Sequence, residues 1–527
     1  MENSFVSLLP PIVTIGLAIW TKRIFVSLGI GVALGSLLLN EWDVVGAITD
    51  VFAVAGGLIY AEGAVTEEVY LTFFVLMLGV LTTYIHVLGG AKAFTEWAAK
   101  RVRSRFHAQL LPIFMGFIIF FDDAFSSLVA GNVSRPLTDK YRVSRAKLSY
   151  LVDSTAAPVI ILVPISGWAA FISIVLAQIM ANLNVDQYSG YQAFLLTIPT
   201  NYYAITALVL VVATAYLGLN LGSMRRHEER AVEEGVLVDA SKGNVPGEAS
   251  GNLPARDDGK VGDLVWPVVT LIGVTVAMAL WLGITRTEGP VTAMQVLTNT
   301  DVIFSLAVAV FIATAVALAK LFRKASADLA PKGFVTGIKS MVPAAGLVFL
   351  AWMTAEIMGE LGVGEYLGGL IEGTALLALL PAVLFVLAAF ISFSIGSTFG
   401  TFGVMLPIGA QIAVAGGSES LLIPVFGAVL AGSIFGDHTS PLSDTTILSS
   451  IGSGIQLVEH VTTQMAYALL AGLASTIGYA VLGITENMLI GLVTTLVALA
   501  AGVAMLKGRF SDRARHESRI RSEVEAA

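Results

Sequence analysis

The sequence predicts an all-α polytopic membrane protein made of two related halves, and three observations predict it. The chain has 527 residues, 56% of them hydrophobic and only 13% charged, about half the charge of an average soluble domain. Roughly a dozen apolar stretches approach the about 20 residues that a helix needs to cross a bilayer. The polar residues that interrupt these stretches gather in a few clusters of Ser, Thr, Gly and Asp, instead of being spread along them.

In chain order the clearest apolar segments are about 5–20, 24–40, 66–90, 148–182, 193–219, 263–284, 303–319, 334–360, 420–435, 461–482 and 486–506. They give the expectation of about 11 transmembrane helices. Two further stretches, about 108–133 and 374–416, are apolar but interrupted, and read as re-entrant hairpins of broken helix. The segment 45–62, with Asp50 and several glycines, is a poor span. Met1 to Phe5 lacks the basic stretch of a signal peptide, so the first apolar segment is kept as a span. Residues 222–262 form the longest hydrophilic stretch, with Arg225, Arg226, Glu228, Glu229, Asp257 and Asp258, and read as a linker. The organisation expected is a first membrane half over 1–221, the linker 222–262, a second half over 263–507 and a charged tail over 508–527.

The Lys and Arg residues orient this chain. Lys22 and Arg23, the Lys92–Arg105 cluster, the Lys320–Lys339 cluster and Lys507–Arg515 alternate with the acidic pairs Glu41 and Asp43, Glu67 and Glu68, and Glu360 and Glu365. Placing the basic clusters in the cytoplasm puts the linker and the tail there too, in a multi-pass protein of the cell membrane. That trace requires 45–62 not to cross and both hairpins to return to the side they enter from. All the basic residues read as flanking the apolar segments, and nothing points to nucleic acid. The net charge is −8 and there are no cysteines. Disulfides, thiolate metal sites and thiol catalysis are thereby excluded.

A shift of 273 residues pairs Leu88-Gly89 with Leu361-Gly362, and Phe117, Ile118 and Phe120 with Phe390, Ile391 and Phe393. Asp153-Ser154-Thr155 before Pro158 resembles Asp437-His438-Thr439 before Pro441, after an insertion of about ten residues. The loop before the first interrupted stretch is basic, whereas the loop before the second carries Glu365 and Glu372 and no Lys or Arg. Opposite charge bias at equivalent loops implies two inverted repeats, an architecture that places a transport site near the midplane.

Four clusters carry the chemistry. They are Phe120–Ser127 with Gly131-Asn132, Asp153–Pro158, Ser392–Thr401 and Gly436–Thr446. Their Gly, Pro and hydroxyl residues favour breaks that expose carbonyl and hydroxyl oxygens, tolerated at membrane depth only inside protein or around a wet cavity. Asp122, Asp123, Asp153, Asp437 and Asp444 lie in these apolar surroundings. A carboxylate at the bilayer centre costs about 2.5–3.5 kcal/mol or more. Without basic partners such groups need a proton or a bound cation, and burial makes the two compete. Hard cations prefer oxygen ligands. The main cation-binding carboxylates expected are Asp153 and Asp437, each at a helix break and followed by a hydroxyl and a proline. Sodium would sit at Asp153, Thr155, Asp437 and Thr439. Asp122, Asp123, Asp444 and His438 are further ion or proton groups, and Asn132, Ser154, Thr155, Ser397, Thr398, Thr439 and Ser440 are oxygen ligands or hairpin-tip residues.

Ordinary explanations stand beside these. Asp444 could cap the helix that follows it, Asp122 and Asp123 could lie at a wet hairpin tip, and Asp139 reads as a loop residue. Glu356 could be a further intramembrane carboxylate or lie near the interface. Any one Ser or Thr could bond back to its own helix.

At these residues the chain becomes recognisable. Phe435 through Ser450, FGDHTSPLSDTTILSS, resembles the signature of the NhaC family of sodium/proton antiporters. Asp123 through Gly131-Asn132, Arg135-Pro136, Thr138-Asp139 and Leu151–Pro158 resemble the family's other signature. The resemblance spans about 107–460 and implies the ion transporter superfamily, with two inverted repeats that each carry a re-entrant hairpin. It implies sodium efflux driven by proton entry through alternating access, with sodium and protons as cargo, no cofactor and no enzymatic activity. A homodimer is an arrangement left open. The same family includes malate/lactate exchangers that move sodium and protons, and related families move amino acids and dicarboxylates, so exchange of an organic acid or amino acid is the alternative. Arg135 and His438 are the only basic residues near the motifs that could meet an anion. An intramembrane aspartyl protease is disfavoured, because position 434 is Ile and no Tyr-Asp pair lies on an earlier span.

Overall fold

Hydropathy this continuous leaves the backbone no partner but itself, and the chain answers with helices. In a computed structural model the described residues are 5–21, 23–61, 63–100, 102–120, 122–185, 187–238, 256–286, 301–323, 328–362, 366 and 375–510. The first half comprises α1 (Leu9–Thr21), α2 (Ile24–Leu39), α3 (Val44–Gly57), α4 (Glu67–Val87), α5 (Gly90–Ala99), α6 (Arg105–Ile118), α7 (Asp123–Lys140), α8 (Arg145–Leu162), α9 (Gly167–Asn182), α10 (Gly190–Thr197) and α11 (Tyr202–Leu217). A short helix, α12 (Met224–Glu233), opens the linker. The second half comprises α13 (Val261–Thr285), α14 (Val302–Arg323), α15 (Leu329–Glu360), α16 (Ala375–Ala378), α17 (Leu380–Ile395), α18 (Thr398–Ala415), α19 (Leu422–Thr439), α20 (Asp444–Ser453), α21 (Leu457–Thr485) and α22 (Met488–Phe510).

Among the described residues seven helices are long and apolar enough to span a membrane, and two bent pairs raise the number to nine. The pairs are α8 with α9, bent by 49°, and α10 with α11, bent by 46°. The first pair accounts for the run 148–182, too long for one straight crossing, and the second for the segment 193–219. Shorter apolar helices lie in α1, α2, α3 and α17. The 14-residue α3 occupies the segment expected not to cross, and its length of about 21 Å falls short of the hydrocarbon core. Behind it Tyr60–Ala61 (β1) and Ala64–Val65 (β2) pair antiparallel around Gly63, whose φ of 84° suits glycine. Glu365, Glu372 and the tail beyond Phe510, on which part of the charge argument rests, lie outside the described residues.

Glycine sets the tightest helix contacts. In the run Gly432-x-x-x-Gly436 of α19, a side chain at either glycine would collide with a carbonyl of α17, that of Phe385 or Ala389. The two backbones therefore pack directly, as membrane helices do where no hydrophobic force draws them together. Gly79 of α4 and Gly337 of α15 meet in the same way. The outward face of α22 is apolar: Leu489, Val493 and Val497 are exposed, as a lipid-facing helix requires.

Both interrupted stretches are helix–break–helix units, α6 with α7 and α17 with α18. Helix α8 has 18 residues, breaks over 163–166 and resumes as α9, while α19 has 18 residues, breaks over 440–443 and resumes as α20. This correspondence corrects the expected place of Asp153. Asp153 is in mid-helix, with Pro158 also inside α8, and the break lies ten residues further on. Asp437 is in the last turn of α19. The two aspartates therefore do not occupy equivalent breaks.

Candidate functional site

Helix α8 buries every residue from Ala146 to Ile161, so any polar side chain on it must be satisfied by its neighbours. Asp153 is 1% exposed. Its Oδ1 accepts from Ser449 Oγ at 3.2 Å, and its Oδ2 from Thr446 Oγ1 at 3.3 Å and Gln464 Nε2 at 2.7 Å. His460 places Nε2 3.2 Å from the same oxygen, and His438 Nε2 lies 3.7 Å away. Four of these partners come from α20 and α21, so the second half encloses the carboxylate of the first.

Asp437 is 3% exposed, and its Oδ2 accepts from Ser443 Oγ at 2.8 Å and Thr445 Oγ1 at 3.2 Å. His438, the next residue, is held at both ring nitrogens, with Nε2 3.0 Å from Ser154 Oγ and Nδ1 2.8 Å from Tyr203 OH. Gln464 also donates to the His438 carbonyl and so ties the two aspartate neighbourhoods together. A buried imidazole with both nitrogens engaged is fixed in position.

The two hairpin tips reach the 440–443 break. Gly396, at φ 71°, ends α17, and a side chain there would stand 2.6 Å from the Leu442 carbonyl carbon. Helix α7 begins at the other tip, and Asp123, its first residue, lies within electrostatic reach of Asp122, Asp437 and Asp444. Asp122 is buried and its carbonyl receives Ser126 N at 3.0 Å. Asp444 is exposed, and the cap of α20 is Ser443, which accepts from Thr446 N. Among the described residues no Lys or Arg forms an ion pair with Asp123, Asp153, Asp437 or Asp444, and no three His, Asp or Glu side chains converge as a resident metal centre would need.

Several expected oxygen ligands stand elsewhere. The hydroxyls of Thr155 and Thr439 donate to carbonyls of their own helices, Leu151 and Phe435, both at 2.8 Å. Back-bonding of this kind is what isolated helical threonines do. Thr446, Ser449, Ser443 and Thr445 are the hydroxyls at the carboxylates instead. Asn132 is exposed on α7. Ser397 caps α18 at Gly400 N, Thr398 is buried beside it, and Ser440 Oγ accepts from Leu442 N at 3.2 Å. Asp139 is not in a loop but in the last turn of α7, and Glu356 is partly buried near Asn182, away from the cluster.

His460 and Gln464 are the residues that sequence reasoning missed. They stand four apart on one face of α21, at the edge of an apolar run, and that spacing is the signal that could have found them. One flanking cation is also buried in the fold. Lys147 is 0% exposed, and its Nζ donates to the Leu219 carbonyl at 2.8 Å and Asn220 Oδ1 at 3.2 Å, above the ring of Tyr467. Nearby Glu228 of α12 pairs with Arg105 and accepts from Ser144 N at 2.8 Å. Burial pushes the Glu228 carboxyl up, but Arg105, Lys147 and the Ser144 N–H outweigh it and hold it below the usual glutamate range. A cavity of about 510 Å³ lies between α12 and the start of α21, lined by Arg226, His227, Arg230 and Glu459, the last being the neighbour of His460.

Residues 159–484 match the model of the "Na+/H+ antiporter family". The chain belongs to this family. It is an integral membrane protein and a transporter. A Haemophilus influenzae protein without an assigned role is 38% identical, with 96% of each chain covered. The arginine/ornithine antiporter ArcD of Halobacterium salinarum is 41% identical over 113 residues, 20% of this chain and 22% of that one. Among solved structures, Neisseria gonorrhoeae MtrF, described as illuminating a class of antimetabolite efflux pumps, has a similar fold. Its TM-score is 0.50 at 12% identity, covering 88% of this chain and 85% of that one. With this family the polar cluster around Asp153 and Asp437 becomes the transporter's candidate site.

Proposed function

We propose that this transporter exchanges sodium ions for protons, and that Asp153 and Asp437 carry both in turn. One observation carries the reading: two carboxylates are buried among hydroxyl, amide and imidazole groups, with no Lys or Arg in ion-pair reach among the described residues. Placing a carboxylate at membrane depth costs about 2.5–3.5 kcal/mol or more. A proton removes that cost by neutralising the group, and a sodium ion removes it by pairing with it. Because one charge is neutralised once, the two cargoes compete. The family membership supports the same reading.

The neighbours have distinct parts. Gln464, Ser449 and Thr446 hold the Asp153 carboxylate in place, and Ser443 and Thr445 hold Asp437. When sodium arrives, the hydroxyls rotate to offer lone pairs, which suits a hard cation. Gln464 and His438 link the Asp153 carboxylate to the residue next to Asp437, so a change at one aspartate is felt at the other. Movement of the two hairpins relative to α19 and α20 would expose the site to one side at a time, with the halves inverted and the linker in the cytoplasm.

A second reading, exchange of an organic acid or an amino acid, is favoured by the ArcD relative. Such a cargo carries a carboxylate and needs a positive partner. Lys147 is occupied by Leu219 and Asn220, which leaves His438 and His460 as the cationic candidates at Asp153. The test is reconstitution with a trapped pH dye. Added sodium should dissipate a preset proton gradient, and malate, lactate, arginine and ornithine should not. Dissipation by an organic solute, with none by sodium alone, contradicts the proposal.

A further inference from the structure

The packing of α7, α8 and α20 contains more buried polar atoms than the site itself uses. Many buried serines and threonines among the described residues donate to a carbonyl one turn back, as Ser173 does to Ala169 at 2.6 Å and Ser475 to Ala471 at 2.8 Å. Four do not. The hydroxyls of Ser127, Ser134, Ser149 and Ser453 are fully buried and have no hydrogen-bond partner among the described residues.

These four fall on one seam. Helices α8 and α20 run antiparallel, with a register fixed by two contacts: Ser449 meets Asp153, and the Gly454 carbonyl accepts from Arg145 Nη1 at 3.2 Å. Ser149, one turn before Asp153, and Ser453, one turn after Ser449, therefore lie between those two levels. Helix α7 closes the third side. A side chain at Gly131 would stand 2.7 Å from the Gly452 carbonyl carbon, and one at Gly452 would stand 2.7 Å from the Leu128 carbonyl oxygen. Ser127 and Ser134 flank this glycine contact on α7. At the end remote from Asp153 sits Asp139. Its Oδ2 is held by Arg145 at 3.4 Å, while its buried Oδ1 has no hydrogen-bond partner among the described residues. This end faces the linker, because Arg145 N donates to the Leu237 carbonyl at 3.2 Å.

We infer that the seam is the closed form of a cation path from Asp153 to the linker side of the membrane. Buried hydroxyls without partners at membrane depth mark places that water or an ion fills. Their oxygens, with the Leu128 carbonyl, form a ladder of neutral ligands that a partly dehydrated monovalent cation can descend. Asp139 supplies the carboxylate at the mouth, and Arg145 covers it in this conformation. The glycine pair lets α7 lie against α20 when the path is shut and part from it without disturbing side chains. The inference rests on the reading of Asp153 as the cation carboxylate.

The chain has no cysteine, so single cysteines can replace Ser134, Ser149 and Ser453 in the full-length, reconstituted protein. Cysteines at Ser173 and Ser475, equally buried but bonded to their own helices, are the controls. The probe is methanethiosulfonate ethylammonium, a small cationic reagent in the aqueous phase. At the seam it should react about tenfold faster or more than at the controls, since thiol reactivity follows access. Saturating sodium should slow it most at Ser149, nearest Asp153. Three independent positions guard against one misfolded variant, and S453A should separately slow sodium-driven exchange several-fold. Seam cysteines as silent as the controls overturn the path. Fast labelling that sodium does not slow overturns its assignment to the cation. Silent cysteines in a protein whose sodium still dissipates a proton gradient overturn the path alone and leave the proposed exchange standing.

Discussion

Replacing Asp153 by Asn isolates the charge at the centre of this account. The amide has nearly the same size; with its oxygen at the Oδ2 position Thr446 still donates to it, and Ser449 turns to accept from the amide NH2 at the Oδ1 position. The Gln464 and His460 contacts at Oδ2, 2.7 and 3.2 Å in the wild type, change from charged to neutral acceptors. Each such exchange costs roughly 1 kcal/mol, so D153N should fold and reach the membrane. The loss for the cation is larger. Unit charges about 4 Å apart attract by roughly 4 kcal/mol at an effective dielectric constant near 20, or about three decades of affinity. In vesicles with a trapped pH dye, the apparent KM for sodium should therefore rise about a thousandfold, out of the measurable range. D153N with a KM within about threefold of wild type and an unchanged rate refutes the reasoning, because that margin is under 1 kcal/mol.

Three further outcomes follow from particular contacts. G396A should destabilise the protein more than G417A and should also slow exchange. Both glycines have positive φ, 71° and 77°, a conformation that costs other residues about 1–2 kcal/mol, but only at Gly396 does an added methyl strike the Leu442 backbone; equal losses in a thermal-shift assay would show that the tip does not press on the break. E228Q should release α12 by leaving Arg105 and Lys147 short of a buried counter-charge, a loss of about 3–5 kcal/mol readable by hydrogen exchange over Met224–Glu233. Since the folded Glu228 carboxyl lies below its ordinary value, its contribution is complete above that value, about 4.3, and fades as pH falls further; α12 that detaches between pH 8 and 6 would contradict this. Cysteines at Ser104 and Ser420, at the outer ends of the two hairpins, should be labelled by an impermeant maleimide from opposite faces of the membrane, and labelling from one face would make the halves parallel.

The spans were legible because their apolar runs leave the backbone no other arrangement, and the hairpins because Asp122, Ser397 and their neighbours interrupt those runs. Asp153, Asp437 and His438 were visible as polar residues in apolar surroundings, and the structure brings them together. The ligands around them were less legible. Whether a hydroxyl faces a carboxylate or its own helix depends on rotation about the helix axis, which packing sets. Thr155 and Thr439 therefore read like ligands and are back-bonded, while Thr446 and Ser449 reach Asp153. His460 and Gln464 were hidden at the end of an apolar run, and Lys147 reads as a flanking charge until Asn220 and Leu219 are seen folded over it. Pro158 suggests a break beside Asp153 that α8 does not make.

If sodium and protons share one set of carboxylates, sodium binding must release protons, and that release can be measured. Purified protein in weakly buffered solution with a pH indicator would be titrated with sodium chloride, with choline chloride as the control for ionic strength. Sodium should release protons, its apparent affinity should weaken as pH falls, approaching tenfold per unit for one competing proton, and D153N and D437N should abolish the release. Saturable sodium binding without proton release at any pH between 5 and 9, or release undiminished in both variants, would contradict the sharing.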